Sequence, residues 1–337
     1  MLTRRNFLAT SASTLIAAQL RGQSSVPDVE AFEHARILAA VPGVLAKFDA
    51  ISGTTGASLS LLELNSITVA LTAAFLVTKD EKYAKKALNL VETLRPLDIN
   101  LMAGASTPQY QLSLLPLAEF AVALRFLVDS MSPDQLSLVS TVFTDIQGYL
   151  NTDGQMAVER DCHDHRASAW LLLSTAIARY QRDEKTLDAN RRLFRKPTLR
   201  NQINHDGQFP EELATPNPYR NSLFNFDLLC GACQLLASPF DLLWDYELID
   251  GIGLRVAAAT LYPVIVDRRK WPAVSDAEHF RDLPGRRPGL LFAGHAYKRP
   301  EYVDLWRSLS PEIPLALADS FPIREPLLWI SRAQHGL

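Results

Sequence analysis

Cysteine is scarce in this chain, which has only Cys162, Cys230 and Cys233 among its 337 residues. Three thiols are too few for the disulfide framework of a small secreted domain. Cys230 and Cys233 form one CxxC, and no second closely spaced pair exists that would complete a zinc site. Neighbouring leucines place this CxxC on an apolar helix face without a βαβ context, which favours buried structural thiols over a redox pair.

An excess of positive charge is also missing, since the formal net charge is −3. A chain without an overall positive field does not gather phosphates, so this charge disfavours a nucleic-acid binder. It remains compatible with a locally basic cleft for an anionic sugar chain.

Strand patterns, repeats and linkers are absent as well. No run of alternating apolar and polar residues predicts a β-strand, no fixed-period repeat is present, and no change in composition marks a linker. Apolar and amphipathic helical segments alternate instead, which predicts helical hairpins in two layers with the apolar helices inside. We therefore expect one all-α domain over residues 26–337, an incomplete α/α toroid of helical hairpins. An open solenoid would show the same alternation, but no repeat supports it.

The helical periodicity also predicts where the helices lie. Pro263 is expected to end the last of the long helices, and the Pro-rich residues 270–300 are expected to form loops and short helices over one rim. The predicted long helices span residues 28–48, 59–77, 81–94, 111–131, 133–149, 165–182, 184–200, 222–237 and 241–261.

The first 25 residues predict export. Residues 3–8, which contain Arg4 and Arg5, match the twin-arginine consensus, and an apolar stretch from Phe7 to Leu20 follows. That stretch is short and interrupted by Ser and Thr, so we expect a signal peptide over residues 1–25 and no membrane anchor after its removal. The twin-arginine export machinery is the expected partner during secretion, and the mature protein is expected to be periplasmic or secreted.

Polar residues cluster in two segments, residues 160–166 and residues 202–225. Each segment precedes an apolar helix that should line the interior of the toroid. Because the loops that lead into inner helices meet at the mouth of the central cavity, we expect the two segments to share one cleft.

The motifs in these segments resemble those of the alginate lyase family of polysaccharide lyases. The family's Asn-Asn-His before an inner helix with a Trp is matched by residues 163–165 and Trp170. Its Gln-Ile-x-x-Asp-Gly-x-x-Pro-x-Glu-Leu stretch is present over residues 202–213, and its Tyr-Ser-x-Phe-Asn helix start is present in part over residues 222–225. Similar segments upstream and in the tail extend the resemblance over nearly the whole mature chain.

The resemblance implies β-elimination at a uronic acid in an acidic polysaccharide, either alginate or a glucuronate polymer, without a cofactor or metal. This reaction needs donors that neutralise the uronate carboxylate, a base for the C5 proton, and an acid for the departing glycosidic oxygen. In the family, Asn, His and Arg serve the first need, while Tyr, or Tyr with His, transfers the protons.

Residue by residue, the resemblance makes His165 and His163 candidate catalytic groups. The family's catalytic Arg and Tyr fall on Thr215 and Asn221 here, but the neighbouring Tyr219 and Arg220 lie near enough in sequence to supply both functions. The expected substrate-binding residues are Arg166, Trp170, Gln208, Glu212, Asn221 and Asn225.

These departures leave other functions open on the same scaffold. A glycoside hydrolase would use a carboxylic acid pair such as Glu212 and Asp206. A non-catalytic glycan-binding protein would need neither the Arg nor the Tyr.

Several of the candidate residues also have a structural explanation. Trp170 fits a core position, Tyr219 fits an aromatic that caps the core, and Arg220 fits a partner of a nearby glutamate. Asp164 would repel a substrate carboxylate unless Arg166 or Arg160 masks its charge.

Overall fold

The computed structural model of the protein describes residues 26–52, 60–94 and 113–330. The predicted signal peptide lies outside these ranges. All regular structure within them is helical, apart from one isolated β-bridge, so the expected all-α class is confirmed. In chain order the α-helices are α1 Val26–Ser52, α2 Leu61–Thr78, α3 Glu81–Val91, α4 Pro116–Leu124, α5 Pro133–Thr152, α6 Gly154–Arg160, α7 His165–Gln181, α8 Glu184–Leu193, α9 Leu199–Gln202, α10 Pro210–Leu213, α11 Pro218–Leu236, α12 Leu254–Val266, α13 Pro288–Ala296, α14 Pro300–Ser308 and α15 Leu327–Ile330.

Side-chain caps fix where several of these helices begin. Ser60 and Ser132 each form a capping box, with Glu63 at the start of α2 and with Gln135 at the start of α5. In each box the serine hydroxyl accepts from a backbone N–H while the longer side chain bonds back to the cap residue. These caps satisfy backbone donors that the first turn of a helix leaves unpaired.

The helices form two layers of an incomplete toroid. The inner helices α2, α4, α7, α11 and α13 pack each against the next, and α3, α5, α8, α12 and α14 pack outside them. Every residue from Leu117 to Leu124 in α4 is buried, whereas α8 buries only one face. The alternation of apolar and amphipathic helices in the sequence therefore corresponds to these two layers, and the toroid prediction is confirmed.

Helix α2 is long and apolar enough to cross a membrane by length and composition. It packs against α1, α3 and α4, and half of its most apolar window is buried inside the protein. This placement is typical of the core helix of a helical ring.

Ion pairs join the two ends of the described chain. Arg36 of α1 pairs with Glu33 in its own helix and with Glu325 near the C-terminal end. Glu33 also accepts from Arg286 at 2.8 Å. The buried Glu119 of α4 accepts from the backbone N–H of Glu325 at 2.8 Å. As a result α15 packs against both α1 and α4.

The helix expected over residues 241–261 is wrong. The chain there forms a short 3-10 helix, Leu243–Asp245, and a loop in which Gly251 has φ 82°, a left-handed conformation that ends a helix. Helix α12 begins only at Leu254, and Pro263 lies inside it. The prediction rested on apolar side chains at helical spacing, but one of them, Ile249, is fully exposed in the loop.

Helix α11 begins at Pro218, four residues before the start expected at Ser222. Proline is favourable in the first turn of a helix because its missing N–H would be unpaired there anyway. The earlier start places residues 219–221 on the helix and so fixes which way each side chain projects.

Candidate active site

The site is built at the start of α7. The carboxylate of Asp164 caps this helix by accepting from the backbone N–H of Arg166 at 2.9 Å. His165 is the first residue of the helix, and 19% of its side chain is exposed. The capped first turn therefore holds the imidazole at the surface end of a buried helix.

A buried carboxylate binds His165. Glu212, in the short helix α10, has a fully buried side chain, and its Oε2 lies 3.0 Å from His165 Nδ1. Its Oε1 accepts from the His165 backbone N–H at 2.6 Å. Because a carboxylate only accepts, Nδ1 must carry the proton, and the hydrogen-bond network thereby assigns Nε2 as the proton-accepting nitrogen.

Amide and hydroxyl side chains hold this carboxylate in place. Asn225 Nδ2 donates to Glu212 Oε1 at 2.9 Å and to Gln202 Oε1 at 2.7 Å. Ser168 Oγ donates to Asn225 Oδ1 at 2.6 Å, and Gln202 Nε2 donates to the Asp164 carbonyl at 2.8 Å. This buried network joins α7, α9, α10 and α11, so it fixes the imidazole relative to all four helices.

Sequence reasoning included Glu212 and Asn225 as substrate-binding residues, but the structure gives them a positioning role. It missed Gln202 and Ser168 as site residues. Gln202 is part of the family motif, and Ser168 lies three residues after His165 on one helix face. The motif and the helical spacing could therefore have identified these two residues from the sequence.

The pKa of His165 is raised above its usual value. Burial lowers this pKa, but the hydrogen bond to Glu212 and the negative charges of Glu212 and Asp164 outweigh that effect. The more basic imidazole is suited to taking a proton from a weakly acidic carbon.

Arg166 masks the charge of Asp164, as expected. Its guanidinium lies 2.7 Å from the Asp164 carboxylate and 3.7 Å from the buried Glu159. The predicted substrate-binding role of Arg166 therefore stays a prediction, since much of its charge is already balanced within the helix start.

Tyr219 does not lie at this site. Its side chain is fully buried, its hydroxyl donates to the Val264 carbonyl at 3.0 Å, and its ring packs edge-on against Trp271 and Phe280. Six residues separate Tyr219 from Asn225 on α11, which turns the two side chains about 120° apart around the helix. The structure therefore places Tyr219 in the buried core and not at the predicted catalytic site.

Thr215 and Asn221, the two positions that depart from the family, lie beside Glu212, whose carboxylate binds His165. Thr215 Oγ1 donates to the Glu212 carbonyl at 2.7 Å and accepts from Asn221 Nδ2 at 3.1 Å. Asn221 lies one turn before Asn225, on the same face of α11. Both are half-buried, and Asn221, a predicted substrate-binding residue, lies near the site through Thr215.

Arg220 lies on α11 one turn before Phe224, whose ring is 5.6 Å from the His165 ring. Its backbone N–H donates to Asp276 at 2.9 Å, while its side chain is half-buried. Among the described residues its guanidinium has no carboxylate within ion-pair distance, so the alternative pairing with a nearby glutamate is not observed. The positive charge of Arg220 acts on the Asp276 carboxyl, whose pKa it lowers against the larger effect of burial.

The remaining candidates divide between the core, a turn and the surface. Trp170 is buried, and its indole N–H donates to the Leu150 carbonyl at 3.1 Å, so its substrate-stacking role is corrected to a core role. The Gln208 side chain accepts from Asn204 at 3.3 Å and holds a local turn. His163 is exposed two residues before His165.

Comparisons with known proteins agree with this architecture. The alginate lyase family model matches residues 133–271, a segment that contains the whole His165 network. The crystal structure of an alginate lyase from Bacteroides ovatus has a TM-score of 0.70 and 17% identity, covering 90% of this chain and 96% of that chain. Alginate lyase A1-III from Sphingomonas species A1 has a TM-score of 0.52 and 15% identity, covering 73% of this chain and 70% of that chain. No protein of curated function matches the sequence at a significant level.

The toroid and the matched segment define the class as a polysaccharide lyase of the α/α-toroid type. The alginate lyase family model matches this segment of the chain, and the resemblance first drawn from its motifs is confirmed. Thr215 and Asn221 are departures within the matched segment.

Proposed function

We propose that this polysaccharide lyase cleaves a uronate polymer, alginate or a glucuronate polymer, by β-elimination with His165 as the proton-transfer group. The observation that carries the proposal is the hydrogen bond between Glu212 and Nδ1 of a partly exposed imidazole. This bond leaves Nε2 as a base of raised pKa in the class of fold whose members cleave acidic glycans.

In the proposed reaction, Nε2 of His165 takes the C5 proton next to the uronate carboxylate. The electron pair forms the C4–C5 double bond, and the C4–O bond breaks. Arg220 neutralises the carboxylate and the Asn221 amide donates a hydrogen bond to it, which lowers the energy of the anion that forms. The exposed His163 supplies the proton to the departing oxygen. The Glu212 carboxylate, hydrogen-bonded to Nδ1, stabilises the imidazolium formed at His165.

Hydrolysis with Glu212 as the acid is disfavoured. The Glu212 side chain is fully buried, and its oxygens accept from His165 and Asn225. A general acid must reach the glycosidic oxygen directly or through one water. This carboxylate is therefore placed to orient the imidazole.

Glycan binding without cleavage is the second candidate, and the Thr215–Asn221 hydrogen bond favours it. A neutral pair occupies the positions of the family's catalytic Arg and Tyr. If neither Arg220 nor His165 compensates, the cleft would hold a uronate chain without abstracting its proton.

One experiment separates these functions. The purified mature chain is incubated with alginate, polyglucuronate and a neutral glucan, and reducing ends are followed together with the ultraviolet absorbance of the unsaturated uronate. A lyase gives both signals on a uronate polymer, and a His165→Ala variant should lose about 100-fold or more of both. Reducing ends without absorbance would assign a hydrolase, and binding without either signal would assign a glycan-binding protein.

We also propose export of the folded protein through the twin-arginine machinery, on the motif of residues 3–8. Replacing Arg4 and Arg5 by Lys should leave the protein in the cytoplasm. Unchanged periplasmic protein in cell fractionation would contradict the proposal.

A further inference from the structure

Positive charge is concentrated in one stretch of an otherwise acidic chain. Residues 179–200 contain eight Lys or Arg against three Asp or Glu, a net charge of +5, whereas the whole chain carries −3. The stretch covers the end of α7, helix α8 and the turn beyond it. Arg179, its first residue, lies at the far end of α7 from His165, about 21 Å along the helix axis, and its last residues return to α9.

The arginines of this stretch line two adjoining clefts. One has a volume of about 690 Å³ and the other about 460 Å³, and they share Arg179 and Glu184. We call the joined surface the arginine groove; its arginines are Arg125, Arg179, Arg182, Arg191, Arg192 and Arg195.

Two of these side chains are held in place by the end of α11. Arg179 Nε donates to the Leu235 carbonyl at 2.6 Å, and Arg191 Nε donates to the Leu236 carbonyl at 3.1 Å. Each bond fixes the guanidinium plane and leaves its other nitrogens for further partners. Anchored arginines lose less side-chain entropy when they bind an anion.

Acidic side chains neutralise only part of the groove. Arg191 pairs with Asp188, and Arg195 pairs with Asp241. Glu184 lies 3.9 Å from Arg179 and 3.7 Å from Arg191, so one carboxylate is shared between two cations.

Acidic side chains of the described residues leave two other arginines of the groove unneutralised. Arg182 and Arg192 are exposed, and across the part of the chain that the structure describes neither has a carboxylate within ion-pair distance. Burial and the nearby charge of Arg191 both lower the pKa of Arg179. A surface that gathers like charges in this way is stabilised by a bound polyanion.

An exposed aromatic ring lies at the same place. Phe240 is fully exposed and lines the smaller cleft together with Arg192 and Arg195. A flat ring beside guanidinium groups can contact the apolar face of a pyranose while the arginines bind its carboxylate in a bidentate manner.

We propose that the arginine groove and Phe240 form a second binding site for an acidic glycan. It holds a uronate chain on the face opposite to His165 and keeps a long polymer on the enzyme between cleavages. The proposal rests on the proposed function only for the identity of the polymer as a uronate. Short oligosaccharides cannot reach both faces, so the groove acts only on long chains.

The test compares an Arg182→Gln/Arg192→Gln variant and a Phe240→Ala variant with a Lys85→Gln/Lys298→Gln control, which removes two exposed positive charges elsewhere. Binding of fluorescent alginate polymer, alginate trisaccharide and inorganic sulfate is measured in a His165→Ala background, so that cleavage does not interfere. We expect the arginine variant to bind polymer about tenfold more weakly, with less dependence on salt, and the control to bind normally. Phe240→Ala should weaken polymer binding and leave sulfate binding unchanged.

The same substitutions in the active background provide a second readout. KM for polymer should rise, while kcat and the rate on trisaccharide stay unchanged. Polymer binding equal to that of the parent in both groove variants would overturn the inference, and so would sulfate binding with no effect of polymer length. Loss of polymer binding in the groove variants of a protein that cleaves nothing would keep the groove and refute the proposed lyase function.

Discussion

Asn221 donates a hydrogen bond to Thr215, with Nδ2 and Oγ1 3.1 Å apart. In the family register these are the positions of the catalytic Tyr and Arg, so two reactive side chains are replaced by a neutral pair that binds itself. Thr215 is tied in turn to the carbonyl of Glu212, whose carboxylate holds His165. In the proposed function, His165 and its support remain as in the family motif, and Arg220 takes over charge neutralisation.

Restoring the family residues should increase β-elimination. A Thr215→Arg/Asn221→Tyr double variant regains a guanidinium for the uronate carboxylate and a phenol for proton transfer, so kcat on alginate should rise about tenfold or more. Initial rates of unsaturated-uronate formation measure the change. Thr215→Val removes the hydrogen bonds of the hydroxyl to Asn221 and to the Glu212 carbonyl but adds neither a guanidinium nor a phenol, so it is the control and should not raise kcat. A double variant slower than the parent would mean that the native pair has its own role in binding.

The pH dependence of the reaction should report the Glu212–His165 pair. Because the pKa of His165 is raised, kcat/KM should increase with pH through a value above the ordinary 6.5 of histidine. Glu212→Gln removes the negative charge, so the rising limb of the plot of kcat/KM against pH should move to lower pH. The rate should fall about 10- to 100-fold. Gln208→Glu is the charge control and should leave the limb in place. A limb unmoved by Glu212→Gln would exclude His165 as the titrating base.

The same pair links protonation to stability. A histidine whose pKa is raised on folding stabilises the folded state most below the unfolded pKa, and this contribution is lost as pH rises through the folded value. The stability difference between the parent and Glu212→Gln should therefore be larger at pH near 6 than at pH near 9.

Tyr219→Phe should leave catalysis unchanged and reduce stability. The phenol donates to the Val264 carbonyl inside the core, and the substitution leaves that buried acceptor without its partner, which costs about 1–3 kcal/mol. Denaturant unfolding and the lyase assay test the two parts separately. A loss of kcat at normal stability would return Tyr219 to the catalytic group.

The buried ion pair between Asp227 and Arg287 should be sensitive to removal of one partner. The two side chains lie 2.8 Å apart with essentially no exposure, and burial lowers the pKa of Arg287. Asp227→Asn leaves the guanidinium without its counter-charge, so it should destabilise the fold by about 3–5 kcal/mol. Asp267→Asn breaks an exposed pair with Arg269 and should cost at most about 1 kcal/mol. Equal costs for the two variants would contradict this account.

The layers of the fold were predictable from the sequence because burial acts on whole helices. An inner helix such as α4 is buried on every face and, apart from Glu119, apolar, and no local detail of its ends changes that pattern. The pairing of the two polar segments was predictable for the same reason, since His165 and Glu212 both lie at the mouths of inner helices. The family motif identified Glu212 as a site residue, but its contact with His165 Nδ1 could be seen only in the structure.

The role of Tyr219 was not predictable, because it depends on where α11 begins. A start at Ser222 would leave Tyr219 in a loop that can approach His165. The actual start at Pro218 rotates it into the contact with Trp271. Helix starts are uncertain by a few residues in any sequence-based prediction, and each residue turns a side chain by about 100°.

The ion pairs that join α1 to the C-terminal segment make the first and last described helices a single structural unit. Arg36 and Glu325 are 289 positions apart in sequence, so this contact closes a loop that contains most of the described chain. Neither end can fray without breaking the contacts of the other, and the two ends should exchange their amide hydrogens together. Proteolytic trimming from the N-terminal side into α1 would remove Arg36 and with it the counter-charge of Glu325, so the C-terminal segment should lose protection at the same time.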